Sequence, residues 1–515
     1  MKGQVNAILP GTEEIELTSD PAAEHPLYLY IKPDQVLYST SIKNLLRDER
    51  VSVDVCPQGI SFLLQCSVVP PPNTVYRNLY VLGVGDCARI RTQTNPDRPL
   101  TVEFKHRFPF FGSGMGSGMD PATESTVPTA DQVLDALKQA LEYRFDRQKA
   151  GFLFHSAGKD SNMVALAAAR SGVREQITCI THKSKGKADE SEISAAIARK
   201  LGLKHQVLHE VDQLGGEHID AIERFFREAP FPGVDPVTLA YPVYTTQVEA
   251  LVGANIIDGG GNDSYMMTPL SSKERKLLPL LNLSCQLPGL ALLRNSVKTE
   301  SLAGPLLKTP AEFYGMSGLS YADAKSVYAH ADDHQAFWQQ RSLTTAWPGG
   351  ELDWVRHKTD IHTTITAAEV HIRKARNFAD SIDANLILPF AHHQVAALFA
   401  GLPEHLLFDR NTGKNKLLIR RMLLDQLDLD SDAVGKMGYS YDFGSVIQQN
   451  RDFVYSHIRA CSLWNQENML ALLARFEAVS QARHKYAKMC GRLIYRIFLI
   501  SAWHLNCRYL AVREG

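Results

Sequence analysis

The sequence lacks a charge imbalance. Its 515 residues carry 55 lysines and arginines against 56 aspartates and glutamates, a formal net charge of −1. That balance excludes a protein that grips nucleic acid or anionic membrane through overall positive charge, although local basic patches stay open. Paired cysteines are missing too. Cys56, Cys66, Cys87, Cys179, Cys285, Cys461, Cys490 and Cys507 form no CxxC pair, and their spacing matches neither a zinc site nor a small disulfide framework. Reduced, mostly buried thiols are expected. Long apolar runs are absent: Met1-Lys2-Gly3-Gln4 opens no signal core, and the apolar stretch 493–505 is interrupted by Arg496 and too short to cross a bilayer. These absences predict a cytoplasmic protein with no nucleic-acid or membrane partner.

What is present is of ordinary globular composition, 44% hydrophobic and 22% charged, which excludes disorder, collagen and low-complexity scaffolds for the bulk of the chain. At roughly 100–200 residues per domain the length allows two to four domains. Residues 27–90 read as β-rich, with short strands at Tyr28, Tyr30 and 36–38 and a turn at Asp34-Gln35. Pro70-Pro71-Pro72-Asn73 breaks regular structure. Between 107 and 128 the composition turns to glycine, serine and proline, as in Gly112-Ser113-Gly114-Met115-Gly116-Ser117-Gly118, which predicts a linker. Beyond it, Thr129 and Gln132 resemble a capping box opening a helix to about Arg147. Strands are then expected at 151–155, 177–181, 206–209 and 255–258, and helices at 161–170 and 190–201. Such alternation implies a parallel sheet. Residues 213–253 look mainly helical, and helical periods dominate from about 351 to the end.

The first chemical feature is Phe154-His155-Ser156-Ala157-Gly158-Lys159-Asp160-Ser161, between a predicted strand and a predicted helix. Small residues there let backbone N–H groups converge on an anion, and the helix N-terminus adds its dipole. A Walker A reading fails, because the first glycine is missing and Asp160 follows the lysine. The aspartate suits a metal ion that bridges phosphates. Taken alone, the segment also reads as an ordinary strand-to-helix turn. A second loop, Asp258-Gly259-Gly260-Gly261-Asn262-Asp263-Ser264, follows another apolar strand, and by itself is equally a glycine-rich turn.

Several ordered motifs together carry a resemblance. Ser156-Ala157-Gly158-Lys159-Asp160-Ser161 is similar to the SGGxDS pyrophosphate loop of the N-type ATP pyrophosphatases, with Ala157 in place of the first glycine. Asp189-Glu190-Ser191 and Ala198-Arg199-Lys200-Leu201-Gly202-Leu203-Lys204-His205 resemble segments of the asparagine synthetases and their relatives, the β-lactam synthetases, carbapenam synthetases and lasso-peptide cyclases. Residues 38–46 and 69–76 resemble the second half of the family's glutaminase-like domain, and 496–509 its closing helix. The second loop resembles the family's SGEGSDE-like loop. Lys416, in 413–420, and Lys436, in 435–439, fall in segments like the family's K-x-x-L-R and R-x-K-x-G-F, although lone lysines there would otherwise read as solvated surface groups.

The resemblance implies an α/β fold: a parallel-sheet ATP-pyrophosphatase domain over 129–515 with a helical C-terminal part. Ahead of it stand a shortened, non-functional glutaminase-like β-rich domain over 1–106 and the 107–128 linker. It implies that Phe154, Ser156, Ala157, Gly158, Lys159, Asp160, Ser161, Ile180 and Gly259 bind ATP. Asp160 and Asp263 would hold Mg²⁺, and Lys416 and Lys436 would be catalytic cations that stabilise developing charge. The implied activity is an AMP-forming carbon–nitrogen ligase joining a small-molecule carboxylate to an amine, as in β-lactam synthetases. The alternatives are an ammonia-dependent amidotransferase, a peptide macrocyclase and a nucleotide-binding pseudoenzyme. Oligomeric state stays open, a homodimer included.

Three departures stand out. Gly260 sits where asparagine synthetases carry Glu and β-lactam synthetases Tyr, a side chain that helps handle the amine's proton. Asp258 is an alternative for that role, or else a strand-end carboxylate that caps the loop. Residues 383–390 match the family's E-x-R-x-P-F segment without its Glu and Arg. Position 2 is Lys2, where glutamine-dependent members expose a cysteine, which predicts that glutamine hydrolysis is absent.

Overall fold

The computed structural model describes residues 3–10, 14–92, 100–110, 127–185, 189–284, 293–316, 318–344, 353–435 and 441–511. Lys436, most of the expected linker and Cys285 lie outside the described residues. The other seven cysteines are free thiols. No described helix is long and apolar enough to cross a membrane.

The N-terminal region is a small antiparallel sandwich. Strands β1 (Asn6–Ile8), β4 (Val36–Ser39), β3 (Leu27–Ile31) and β5 (Leu79–Leu82) form one sheet in the order β1-β4-β3-β5; β2 (Ile15–Thr18), β6 (Asp86–Thr92) and β7 (Leu100–His106) form the other. Alternation along the strands sends Leu29, Val36, Leu82, Ala88 and Ile90 into the layer between the sheets, where Ile15, Leu17 and Val102 pack on them. Helix α1 (Ile42–Leu46) and helix α2 (Pro57–Cys66) interrupt the stretch expected to be strand-rich. Pro57 stands at the first turn of α2, where its missing N–H costs nothing.

The capping box is present: the Gln132 amide donates to Thr129 Oγ1 and the Thr129 amide to Gln132 Oε1, starting α3 (Ala130–Arg144). The helix stops three residues before Arg147. There follow β8 (Gly151–Phe154), α4 (Lys159–Ala169), β9 (Ile177–Lys183), α5 (Ser191–Lys200), β10 (Lys204–His209), α6 (Gly216–Glu228), α7 (Ala240–Gln247) and β11 (Asn255–Ile257). A further strand, β12 (Asn385–Ile387), lies in the region expected to be helical. The five strands make one parallel sheet in the order β10-β9-β8-β11-β12. β8 and β11 are adjacent, so the two loops that leave their carboxyl ends are neighbours, as open α/β sheets require of a ligand site.

The helix Ala487–Asn506 packs against α6 and the helices Arg451–Ala460 and Gln466–Gln481 and is buried all round over 493–503, with Tyr495, Phe498, Leu499 and Trp503 at 0% exposure. A continuous helical stretch runs over 354–381, α-helical at Trp354–Ile361, π-helical at His362–Ile372 and α-helical again at Arg373–Ser381. The sandwich docks along this stretch. Arg373 donates to Tyr28 Oη at 2.6 Å, Arg376 to the carbonyls of Ala23 and Glu24, and Lys43 Nζ to Asp383 Oδ1 at 2.8 Å.

Candidate active site

The loop after β8 is rigidified by its own small polar groups. Ser161 Oγ accepts from the Ser156 amide and lies 3.0 Å from Ser156 Oγ, and the Gly158 amide donates to Ser156 Oγ at 3.1 Å. Buried Asn162 donates to the carbonyls of Ser156 and Gly158 and pairs with His155 Nε2 at 2.9 Å. The Ala157 amide donates to Glu190 Oε2 at 2.9 Å, so the carboxylate of the Asp189-Glu190-Ser191 motif closes one side of the loop.

The second loop comes within van der Waals contact of the first. A Cβ on Gly259 would stand 3.0 Å from the Ser161 nitrogen and 3.1 Å from the Asp160 carbonyl carbon, so only glycine lets the two backbones meet. Gly261 has φ of 111°, and a Cβ there would meet Ala391 at 2.8 Å. Gly260 is different. Its amide donates to Asp258 Oδ1 at 2.8 Å, and a side chain would begin between that carboxylate (3.1 Å) and Ile372 (3.4 Å). The Asp258 carboxylate therefore caps the loop, and Ile372 of the π-helical segment borders the space beside Gly260.

The two loops share one cation. Lys416 Nζ lies 2.6 Å from Asp160 Oδ2, 3.0 Å from Asp263 Oδ1 and 2.9 Å from Asn262 Oδ1, while Asn262 donates to Asp160 Oδ1 at 2.6 Å. Lys416 is not a solvated surface lysine: it is 7% exposed and adopts left-handed backbone angles, φ 59° and ψ 40°, at the start of the helix Leu417–Leu427. Burial alone would lower its pKa, but Asp160 and Asp263 hold it well above the ordinary lysine value. In turn Lys416, against the cost of burial, draws the Asp263 carboxyl down to about 2.

A cavity of about 290 Å³ opens over these loops. Phe154, Ser156, Gly158, Asp160, Ser161, Ile180 and Gly259 line it, whereas Ala157 faces Glu190 and Lys159 opens α4 outside the lining. Asp263 borders a smaller neighbouring cavity of about 70 Å³, closed by Ala22, Ala23 and Gly83 of the sandwich and by Glu369, His371 and Arg373 of the 354–381 stretch. Residues outside the sequence expectation also line the larger cavity, among them His182, Tyr241, Tyr244, His371 and Lys374. Tyr244 Oη and His182 Nδ1 lie 2.8 Å apart, and His182 Nε2 stands 3.4 Å from Glu210. His371 and Lys374 both reach Asp235, at 3.4 and 3.7 Å. None of these sits in a motif: they come from separate parts of the chain and meet only through the fold.

The model of the asparagine synthase family matches residues 132–504. The chain belongs to that family. No curated protein matches it. The match takes in both loops and Lys416, and the family's chemistry is ATP-dependent amide ligation. In this asparagine synthase family member the Asp160–Asp263–Lys416 cluster fits a metal–phosphate site. Two carboxylates already converge on one cation, and Mg²⁺ characteristically takes one or two carboxylates and completes its shell with phosphate oxygens and water. Among the described residues no group of three or more His, Cys, Asp or Glu forms an all-protein metal cage.

Proposed function

We propose that the protein is an AMP-forming ligase that adenylates a small carboxylate and couples it to an amine. The observation that carries this reading is the Lys416 ammonium held between Asp160 and Asp263, the acidic residues of the two nucleotide-facing loops. With nucleotide in the larger cavity, the hydroxyls of Ser156 and Ser161 and the amides at the start of α4 bind the β- and γ-phosphates. Asp160 and Asp263 hold Mg²⁺, which supplies charge screening at the phosphates when bound. The substrate carboxylate oxygen attacks the α-phosphorus and pyrophosphate leaves. The amine nitrogen then attacks the acyl carbon and AMP departs with the C–O electron pair. Lys416, and Lys436 by its motif, supply positive charge as it does.

We assign the amine to the smaller cavity of about 70 Å³ beside Asp263, and the size of this acceptor cavity favours a small-molecule amine, intramolecular or from an amino donor, over a peptide chain. We take the amine to come from substrate and not from glutamine, and the sandwich to be a structural remnant. Burial raises the thiols of Cys87 and of Cys66, the latter to about 12, whereas a nucleophilic cysteine needs a depressed value. The test is product analysis: incubation with ATP, Mg²⁺ and a panel of amino acids should yield AMP, not ADP, without stimulation by glutamine. ADP as the nucleotide product would refute the reading, and stimulation by ammonium would convert it to the amidotransferase.

A further inference from the structure

The collapse of an acyl-adenylate requires the attacking ammonium to lose two protons overall, one before attack and one as the amide forms, and the family's residue for that task is replaced by Gly260. Two side chains flank the gap. Asp258 is half-buried, and its Oδ1 is committed to the Gly260 amide at 2.8 Å. His371 is not so committed. It lines both the nucleotide cavity and the acceptor cavity, the only ring that does so among the described residues, and its side chain is 48% exposed.

The ring is oriented. Nδ1 lies 3.4 Å from Oδ2 of Asp235, a 6%-exposed residue whose Oδ1 accepts the Val237 amide at 3.0 Å. Burial alone would raise the Asp235 carboxyl, but Lys374, His371 and that amide hold it well below the usual carboxylate range. A carboxylate 3.4 Å from Nδ1 favours the tautomer with its proton on Nδ1 and the lone pair on Nε2, the arrangement that makes a histidine a base in hydrolytic triads. The other charged and titratable groups around the ring are Glu369, Arg373, Lys374 and Arg376 on the same helical stretch, His362 at a ring separation of 6.3 Å, and Asp258 and Asp263 on the second loop. The π-helical turn places the ring here: Ile372 packs against the Gly260 position while the preceding residue, His371, faces both cavities. Such turns recur at functional sites.

We propose that the His371–Asp235 pair is the base of the second half-reaction, taking over the role that Gly260 vacates. This inference rests on the ligase reading above. The amine, its first proton lost to solvent, forms its nitrogen–carbon bond to the acyl group, the acyl–oxygen bond to AMP breaks with its electron pair, and the second proton passes to His371 Nε2, whose charge Asp235 stabilises.

The experiment compares the two half-reactions in the full chain and in H371Q and D235N. Substrate-dependent ATP–pyrophosphate exchange, with the proteinogenic amino acids as carboxylate probes, reads the first. Product formation with amino-acid amines as acceptors, and with the more reactive nucleophile hydroxylamine, reads the second. In H371Q, product formation with amino-acid amines should fall about 10²–10⁴-fold, the usual worth of a general base. Exchange should fall less than tenfold. Hydroxylamine should restore much of the product, and the limb of the pH–rate profile that rises with pH should be lost. D235N should shift the same limb with a smaller loss. Equal losses of exchange and product in H371Q, or an unchanged pH profile, would overturn the assignment, as would a selective loss of product in D258N alone. Wild-type protein without exchange on any probe would overturn the ligase reading, and this proposal with it.

Discussion

At the scale of single residues, the site depends on charge pairs that span the chain. Lys416 neutralises Asp160 and Asp263 together, so K416M leaves two facing carboxylates with no counter-ion. The Asp160 and Asp263 side chains are 31% and 37% exposed, so the loss should be smaller than the ~3–5 kcal/mol of breaking a fully buried pair. Added Mg²⁺ can take up that role, so the melting temperature of K416M should fall below wild type and rise more steeply with Mg²⁺ than wild type does. Melting curves over a Mg²⁺ series check this, and parallel slopes would contradict the shared-cation account. Gly259 gives a second prediction. Its missing Cβ lies 3.0–3.3 Å from Ser161 and Asp160, so G259A pushes the loops apart. A misplacement of about 1 Å in reacting groups can cost about 10²-fold, so kcat should fall by about that factor with little change in unfolding free energy. Much of this was legible in the sequence, because glycine, aspartate and lysine stood at fixed spacings within short segments. Asn262 was overlooked within its own loop, since its role is a hydrogen bond to Asp160 on another strand's loop. His371 and Asp235 had no local signal at all.

At the scale of elements, the segments expected as strands at 151–155, 177–181 and 255–258 overlap the central strands at 151–154, 177–183 and 255–257, because buried strands of a parallel sheet read as short, largely hydrophobic segments. β12 escaped, as three residues between a helix and a proline carry no periodicity. The π-helical stretch escaped for a different reason: i→i+5 hydrogen bonding follows no pattern that a 3.6-residue period detects. Phe378 shows what holds that stretch against the site. It is fully buried between Phe154, which lines the cavity, and Tyr241, with ring centroids 6.3 and 5.2 Å away. F378A should cost about 3–5 kcal/mol, measured by urea unfolding, and should loosen the cavity wall. A loss under 1 kcal/mol would mean that this packing does not anchor the stretch.

At the scale of the molecule, the sandwich and the synthetase part meet through a buried ionic knot that composition could not reveal. His106 of β7 places Nδ1 2.8 Å from Asp86 and Nε2 3.0 Å from Asp360, which also pairs with Arg341 at 3.1 Å. Burial would lower the His106 pKa, but Asp360 and Asp86 bring it above its ordinary 6.5. Burial would raise Asp360, but Arg341 and His106 bring it down to about 2. A raised histidine stabilises the fold fully below its unfolded value and loses that contribution as pH rises through the folded value. A lowered aspartate stabilises above its unfolded value near 3.8 and loses it as pH falls toward 2. The knot is therefore strongest between about pH 4 and 6.5. The melting-temperature difference between wild type and H106Q should be largest there and shrink toward pH 8; a difference independent of pH would contradict it.

The central claim is that Asp160 and Asp263 of two adjacent loops, bridged by Lys416, form the adenylating centre. Substrate-dependent exchange of labelled pyrophosphate into ATP tests it most directly, in wild type and in D160A. The account predicts exchange in the wild type with at least one carboxylate and its abolition in D160A; full exchange in D160A would contradict it.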